Sequence, residues 1–228
     1  DVAQDYDGHI SAVGFVYNFK PGVQGASYGD AYTYLASLPQ NYGSSSHIVT
    51  IDSNARILGE KSILLSDFNE ALGVVKTPQN GYILGGNSFD GSFLLIRLDA
   101  KKELLFSKKF QNLGKFSKLV LLRSGEILAV GSAGSLVASE YNLFESGVGL
   151  NDIYIAKFSS DGEMLWQRKY GTAYDDFGVD ATEADDGTIV LLGEVRDGQK
   201  SGVLTARLSQ NGDLVWLKHH KEQRAVFA

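Results

Sequence analysis

The chain has 228 residues, 43% hydrophobic and 21% charged, a globular balance that excludes wholesale disorder. Its 21 basic and 27 acidic residues leave a net charge of −6, which argues against non-specific nucleic-acid binding, and no apolar run is long enough to span a bilayer. The absence of cysteine excludes disulfides, thiolate nucleophiles, iron–sulfur clusters and Cys-based zinc sites.

Gly is abundant (26), Pro scarce (3), and Tyr and Phe number 11 and 12, which fits many short strands joined by tight turns. In chain order, a turn followed by an apolar strand ending in Gly occurs four times. It starts at Asp7-Gly8, Asn80-Gly81, Ser124-Gly125 and Asp186-Gly187, and the strands end at Gly14, Gly86, Gly131 and Gly193. Asp-Gly and Asn-Gly predict two-residue hairpin turns with both central residues at positive φ. Each of these is followed by a strand, a polar turn and a second strand. The pairs run His47 to Leu58, Phe93 to Phe106, Ile153 to Trp166 and Val203 to Trp216, with turns at Asn54-Ala55, Lys101-Lys102, Asp161-Gly162 and Asn211-Gly212. Four strands in each of four units predict an all-β chain, a β-propeller with four four-stranded blades at about 1–65, 66–111, 112–171 and 172–222. Residues 223–228 would start an inner strand or close the ring. The whole chain, 1–228, then reads as a single propeller domain.

Phe158 to Gly171 (Phe-Ser-Ser-Asp-Gly-Glu-Met-Leu-Trp-Gln-Arg-Lys-Tyr-Gly), followed by Asp175-Asp176-Phe177-Gly178 and Asp185-Asp186-Gly187, resembles the outer-strand repeat of bacterial β-propeller repeat proteins. It is also distantly similar to the tryptophan-docking repeat of quinoprotein-like propellers. The resemblance covers nearly the whole chain, most strongly 70–222. It implies a fold and not a chemistry, since propellers host many functions.

Gly8, Gly81, Gly125 and Gly187 are spaced by 73, 44 and 62 residues, against the roughly 40–50 of a plain blade. The excess falls in the links between second and third strands, at 16–45 and 133–151. In an up-and-down blade both links emerge on one face of the disc, and insertions on one face of a repeat protein often form its binding face. The first link carries Tyr17, Phe19, Tyr28, Tyr32, Tyr34 and Tyr42; the second carries Tyr141 and Phe144. Tyr-rich loops make large contacts at low side-chain entropy cost, though such rings can equally plug the loops onto the propeller. Asp175 and Asp176, with Asp180, cluster in a connection on the same face. They serve either acid/base or hydroxyl-binding work, or the commoner task of capping turns.

Other chemistry is poorly provided for. The Asp5–Gly8 and Asp185–Gly187 segments lack the alternating oxygen ligands of a calcium loop. His9, His47, His219 and His220 form no metal-binding spacing, the 146–150 Gly run is only part of a dinucleotide fingerprint, and no Ser–His–Asp set can be assembled. Lys108-Lys109 and Arg168-Lys169 read as edge protection, Trp166 and Trp216 as interblade packing. The termini, Asp1–Gln4 and Arg224–Ala228, read as two parts of one inner strand, so ring closure is expected over a longer array of blades.

These observations lead to a non-catalytic binding or scaffold propeller that contacts a protein or glycan through the looped face, with no cofactor, metal, nucleic acid or membrane span. The alternatives are a glycan hydrolase or lyase using the interblade carboxylates, and a structural subunit of a larger envelope assembly. The resemblance, the absent initiator Met and the absent Cys lead to an expected exported location, periplasmic or cell-surface.

Overall fold

A computed structural model describes residues 1–4, 8–17, 44–65, 69–88, 91–111, 113–134, 151–197 and 200–220. Among the described residues sixteen strands form four antiparallel sheets in strict chain order. The first holds β1 (Val2–Gln4), β2 (Ile10–Tyr17), β3 (Ser44–Ile51) and β4 (Ile57–Ile63). The second holds β5 (Asn69–Lys76), β6 (Tyr82–Ser88), β7 (Phe93–Leu98) and β8 (Leu104–Phe110). The third holds β9 (Lys115–Leu121), β10 (Ile127–Gly134), β11 (Asn151–Phe158) and β12 (Met164–Tyr170). The fourth holds β13 (Asp175–Glu183), β14 (Ile189–Asp197), β15 (Lys200–Leu208) and β16 (Leu214–His220). This is the propeller architecture that the repeats predict.

The two middle strands of the second and third sheets read as nearly unbroken apolar runs because both faces are covered. Ile127, Leu128, Ala129 and Val130 are all buried, alternate residues facing the second and fourth sheets. Outer strands such as Leu104–Phe110 alternate instead, with one side in solvent. Three cores follow, one per junction. Val13, Ile48, Leu84 and Ile96 fill the first; Ile83, Leu95, Phe116 and Phe158 the second; Val130, Ile153, Leu191 and Leu204 the third. Each such side chain contributes roughly 1.5–3 kcal/mol on burial. The first strands of the sheets gather together, β5 against β1 and β9, and β9 against β13.

The inner turns differ from the two-residue form. Leu122 N donates to Glu126 O and Gly125 N to Leu122 O, both at 2.9 Å, closing a three-residue loop in which only Gly125 has positive φ (83°). The residues before it stay right-handed, so one left-handed place suffices. In the second sheet that place belongs to Asn80 (φ 62°) rather than Gly81. Gly81 is required for another reason, since a Cβ there would stand 2.5 Å from Leu98 O. The outer turns repeat the same form four times, with Ala55, Lys102, Gly162 and Gly212 left-handed. A side-chain oxygen at the first position, Asp52, Asp99, Ser159 or Ser209, accepts two backbone N–H groups in each.

The outer turns also key successive sheets together. Phe106 lies where a Cβ on Gly162 would be 2.8 Å from its ring, and Trp166 stands in the same relation to Gly212 at 3.0 Å. Ring closure is not seen: among the described residues no packing comparable to the three junctions joins the fourth sheet to the first. The first sheet has its own inner strand in β1, and the segment 223–228 expected to start an inner strand or close the ring lies outside the described residues.

Candidate functional site

The topology fixes where the variable links attach. The 18–43 link joins β2 to β3 and the 135–150 link joins β10 to β11, whereas β6–β7 and β14–β15 are joined by 89–92 and 198–199. Because every sheet runs up and down from the same kind of inner strand, all four links leave the same end of the sheets. The connections between sheets, including 171–174, lie at that end as well. Tyr17 is the last residue of β2. Phe19, Tyr28, Tyr32, Tyr34, Tyr42, Tyr141 and Phe144 lie outside the described residues.

Asp175 and Asp176 open β13, and adjacent strand residues face opposite ways. Asp176 is fully buried. Its carboxylate accepts from Thr172 N and, at 3.0 and 3.2 Å, from Thr172 Oγ1. Asp175 accepts from Asn151 N at 3.0 Å and Asn151 Nδ2 at 3.4 Å, pinning the start of β11 to the start of β13. Asp180 is brought to neither; it sits at the bulge after Gly178 and accepts from Ala181 N at 2.8 Å.

The structure brings two further residues to this place that the sequence did not assign to it. Asp152 and Lys169 are both buried, on the neighbouring strands β11 and β12. A Cβ on Gly171 would collide with Asp152 Oδ1 and lie against Asp176 Oδ2, so this glycine lets two carboxylates approach across the junction. Lys169 donates to Gly134 O at 2.8 Å, which corrects its reading as an edge-protecting surface lysine. Burial pushes the Asp152 carboxyl up; the Lys169 charge opposes that and Asp175 adds to it. Burial also raises Asp176, against the hydrogen bonds from Thr172 and the His219 charge and with the help of Asp152. Burial lowers Lys169, against the pull of Asp152.

Chemically the cluster is a pair of proton-seeking carboxylates with one amine, beneath the point where the 135–150 link leaves β10 and enters β11. The Asp176 oxygens are taken up by the amide and hydroxyl of Thr172, and Asp175 beside it braces the fourth sheet to the third through Asn151. No group of three or more potential metal ligands occurs among the described residues. Asp186 likewise serves its turn, accepting from Thr188 N at 3.1 Å and Thr188 Oγ1 at 2.7 Å and pairing with Arg207. His219 and His220 face opposite ways, His220 meeting Thr205 Oγ1 at 2.9 Å. His47 meets Ser62 Oγ at 3.0 Å.

No protein-family profile matches the chain, and no curated protein matches it. Among solved structures it is similar to two of puromycin hydrolase, each at 15% identity over 96% of this chain and 31% of that one, with TM-scores of 0.54 and 0.53. The chain therefore spans about a third of that protein's length. A protein of unknown function from Bacteroides caccae aligns over 96% of this chain and 80% of that one, at 10% identity and TM-score 0.45. The likeness to puromycin hydrolase shows a propeller-like all-β fold.

Proposed function

We propose that this is a non-catalytic binding or scaffold propeller holding a protein or glycan partner through the looped end of its sheets. The observation that carries the reading is topological: the two long links, rich in Tyr and Phe, leave the same end of sheets whose other links are two and four residues long. Aromatic loops on a rigid β scaffold supply contact area at low entropy cost. A hydrolase or lyase reading has less support, because Asp176 is fully buried and Asp175 and Asp180 accept from backbone amides. The exported location, periplasmic or cell-surface, belongs to this proposal and rests on composition and repeat resemblance.

A second reading has its own observation. Leu58, Leu105, Leu165 and Val215 occupy one repeat position of the four outer strands and are 48%, 57%, 49% and 60% exposed. A rim strip of this kind suits a subunit packed edgewise into a larger assembly.

Glycan-array binding and pull-down from bacterial envelope extract separate the two. A variant with Tyr28, Tyr32, Tyr34 and Tyr141 changed to Ser is expected to lose at least about tenfold in affinity, or roughly 1.4 kcal/mol, with an unchanged Tm. Leu105→Ser with Leu165→Ser is expected to bind as the parent does. The opposite pattern supports the rim reading.

A further inference from the structure

Successive sheets meet through a rule that the chain states repeatedly. At one position of the outer strand stand Gly59, Phe106, Trp166 and Trp216, paired with Thr50, Arg97, Lys157 and Arg207. Where that residue is aromatic, the left-handed residue of the next sheet's outer turn is Gly: Phe106 faces Gly162 and Trp166 faces Gly212. Where it is Gly59, the next turn carries Lys102, whose Nζ lies 3.4 Å from the place of a Gly59 Cβ. Two residues on, the outer strand always carries a base, Lys61, Lys108, Arg168 or Lys218, and the next turn carries an acid after its left-handed residue. Lys61 pairs with Glu103 and Lys108 with Glu163, both at 2.5 Å, while Arg168 faces the turn holding Asp213. The paired base on the third strand reaches the same turn, Arg97 to Ser160 O and Lys157 to Gln210 O.

The fourth sheet carries the same equipment with no sheet opposite it among the described residues. Leu192 and Val203 occupy the places of the buried Val130 and Ile153 of the third sheet, yet are 40% and 48% exposed. With Val179, Gly193 and Gly202 they line an open cleft of about 370 Å³. Over the Trp216 ring lies Lys218, 5.5 Å from the centroid, and Arg207 turns back to Asp186 and Thr188 of its own sheet.

The first sheet does not match this face. Its outer turn offers Ala55 where Gly162 and Gly212 stand, placing a methyl where the aromatic ring must go. It then offers Arg56 where Glu103, Glu163 and Asp213 stand, setting a base against Lys218. The mismatch is the same whether the first sheet belongs to this chain or to a second copy. We propose that the open face of the fourth sheet seats a further four-stranded blade of this repeat, carrying Gly and then an acid at its outer turn. The partner is specified by shape and charge together: a bare turn for the indole and a carboxylate for Lys218.

Two measurements decide it. Trp166→Phe leaves Trp216 as the sole indole, and the ring is expected to be quenched readily by acrylamide in the 228-residue chain. Shielding of Trp216 overturns the proposal: if independent of concentration it means closure on the first sheet, and if concentration-dependent, stacking on a second copy. In the same background, residues 221–228 are then replaced by a second copy of residues 171–220 carrying Trp216→Phe. The added blade is expected to shift Trp216 emission to the blue, remove most of its quenching and raise Tm by about 4 °C or more. The same extension with Gly212→Ala and Asp213→Arg in the added copy is expected to do none of these. Equal shielding by both extensions overturns the rule, and the first measurement stands alone where an extension misfolds.

Discussion

Trp166 of the third sheet rests on Gly212 of the fourth, its ring 3.0 Å from where a Cβ would stand, while its Nε1 donates to Gln210 O at 3.1 Å. One side chain thus joins two sheets by both packing and a hydrogen bond. The next turn must lack a side chain to receive it, so the identity of one sheet's outer strand dictates the turn of its successor.

Gly212→Ala is therefore expected to destabilise the chain by about 2–4 kcal/mol, from ring collision together with a disfavoured φ of +80°. Gly125→Ala has the same backbone demand, φ +83°, but no atom within 4 Å of the new Cβ, and should lose only about 1–2 kcal/mol. Urea unfolding of the two variants, side by side, checks the difference.

Ring and ion pair at the second junction can be ranked in the same way. Phe106→Ala is expected to cost about 2–3 kcal/mol, since Phe106 packs on the core between the second and third sheets. Lys108→Ala removes its pair with the exposed Glu163 and should stay within about 1 kcal/mol, shrinking further in salt. Denaturant midpoints at low and high ionic strength test both.

Strands and turns were legible in the sequence because each carries a local cause. Apolar runs between Gly-bearing turns gave the four sheets, and Asn54-Ala55 and Lys101-Lys102 fell into line with Asp161-Gly162 only through the repeat. The one-residue difference at Asn80 arose because Asn also tolerates the left-handed region, so Asn-Gly alone does not say which residue takes it. Asp152 and Lys169 were not legible. One is the second residue of β11 and the other the last but one of β12, and only pairing of β11 with β12 and packing on β13 bring them to Gly171 and Asp176. The likeness of Trp216 to Trp166 predicts interblade packing, whereas no sheet covers Trp216 among the described residues.

The buried carboxylates predict a pH dependence of definite sign. Asp176 and Asp152 have folded pKa values above their unfolded ones, so the folded state binds their protons more tightly. Their contribution to stability is full below the ordinary Asp range, about 3.9, and is lost as pH rises through the raised folded values. Asp176→Asn keeps an oxygen for Thr172 and removes one ionisation. It should be at least as stable as the parent at pH 7, with the margin narrowing as the pH is lowered; chemical unfolding from pH 4 to 7 reads this directly.

Tyr154 and Tyr170 are buried, donate to Gln167 Oε1 and Gly212 O, and have phenols pushed far above their ordinary range by burial. Neither is expected to ionise before the chain unfolds, so stability should fall as pH rises above about 10. Tyr170→Phe orphans Gly212 O and should cost about 1–2 kcal/mol. An alkaline absorbance titration with parallel circular dichroism checks the order of events.

The keyed, open stack of sheets is tested most directly by the chain's two indole N–H signals in a proton–nitrogen correlation spectrum followed in D₂O. The Trp166 signal should persist, because its Nε1 is held by Gln210 O across the third junction. The Trp216 signal should exchange quickly, because its Nε1 has no partner among the described residues. Two equally protected indoles would contradict the open fourth face, and two rapidly exchanging ones would contradict the junction itself.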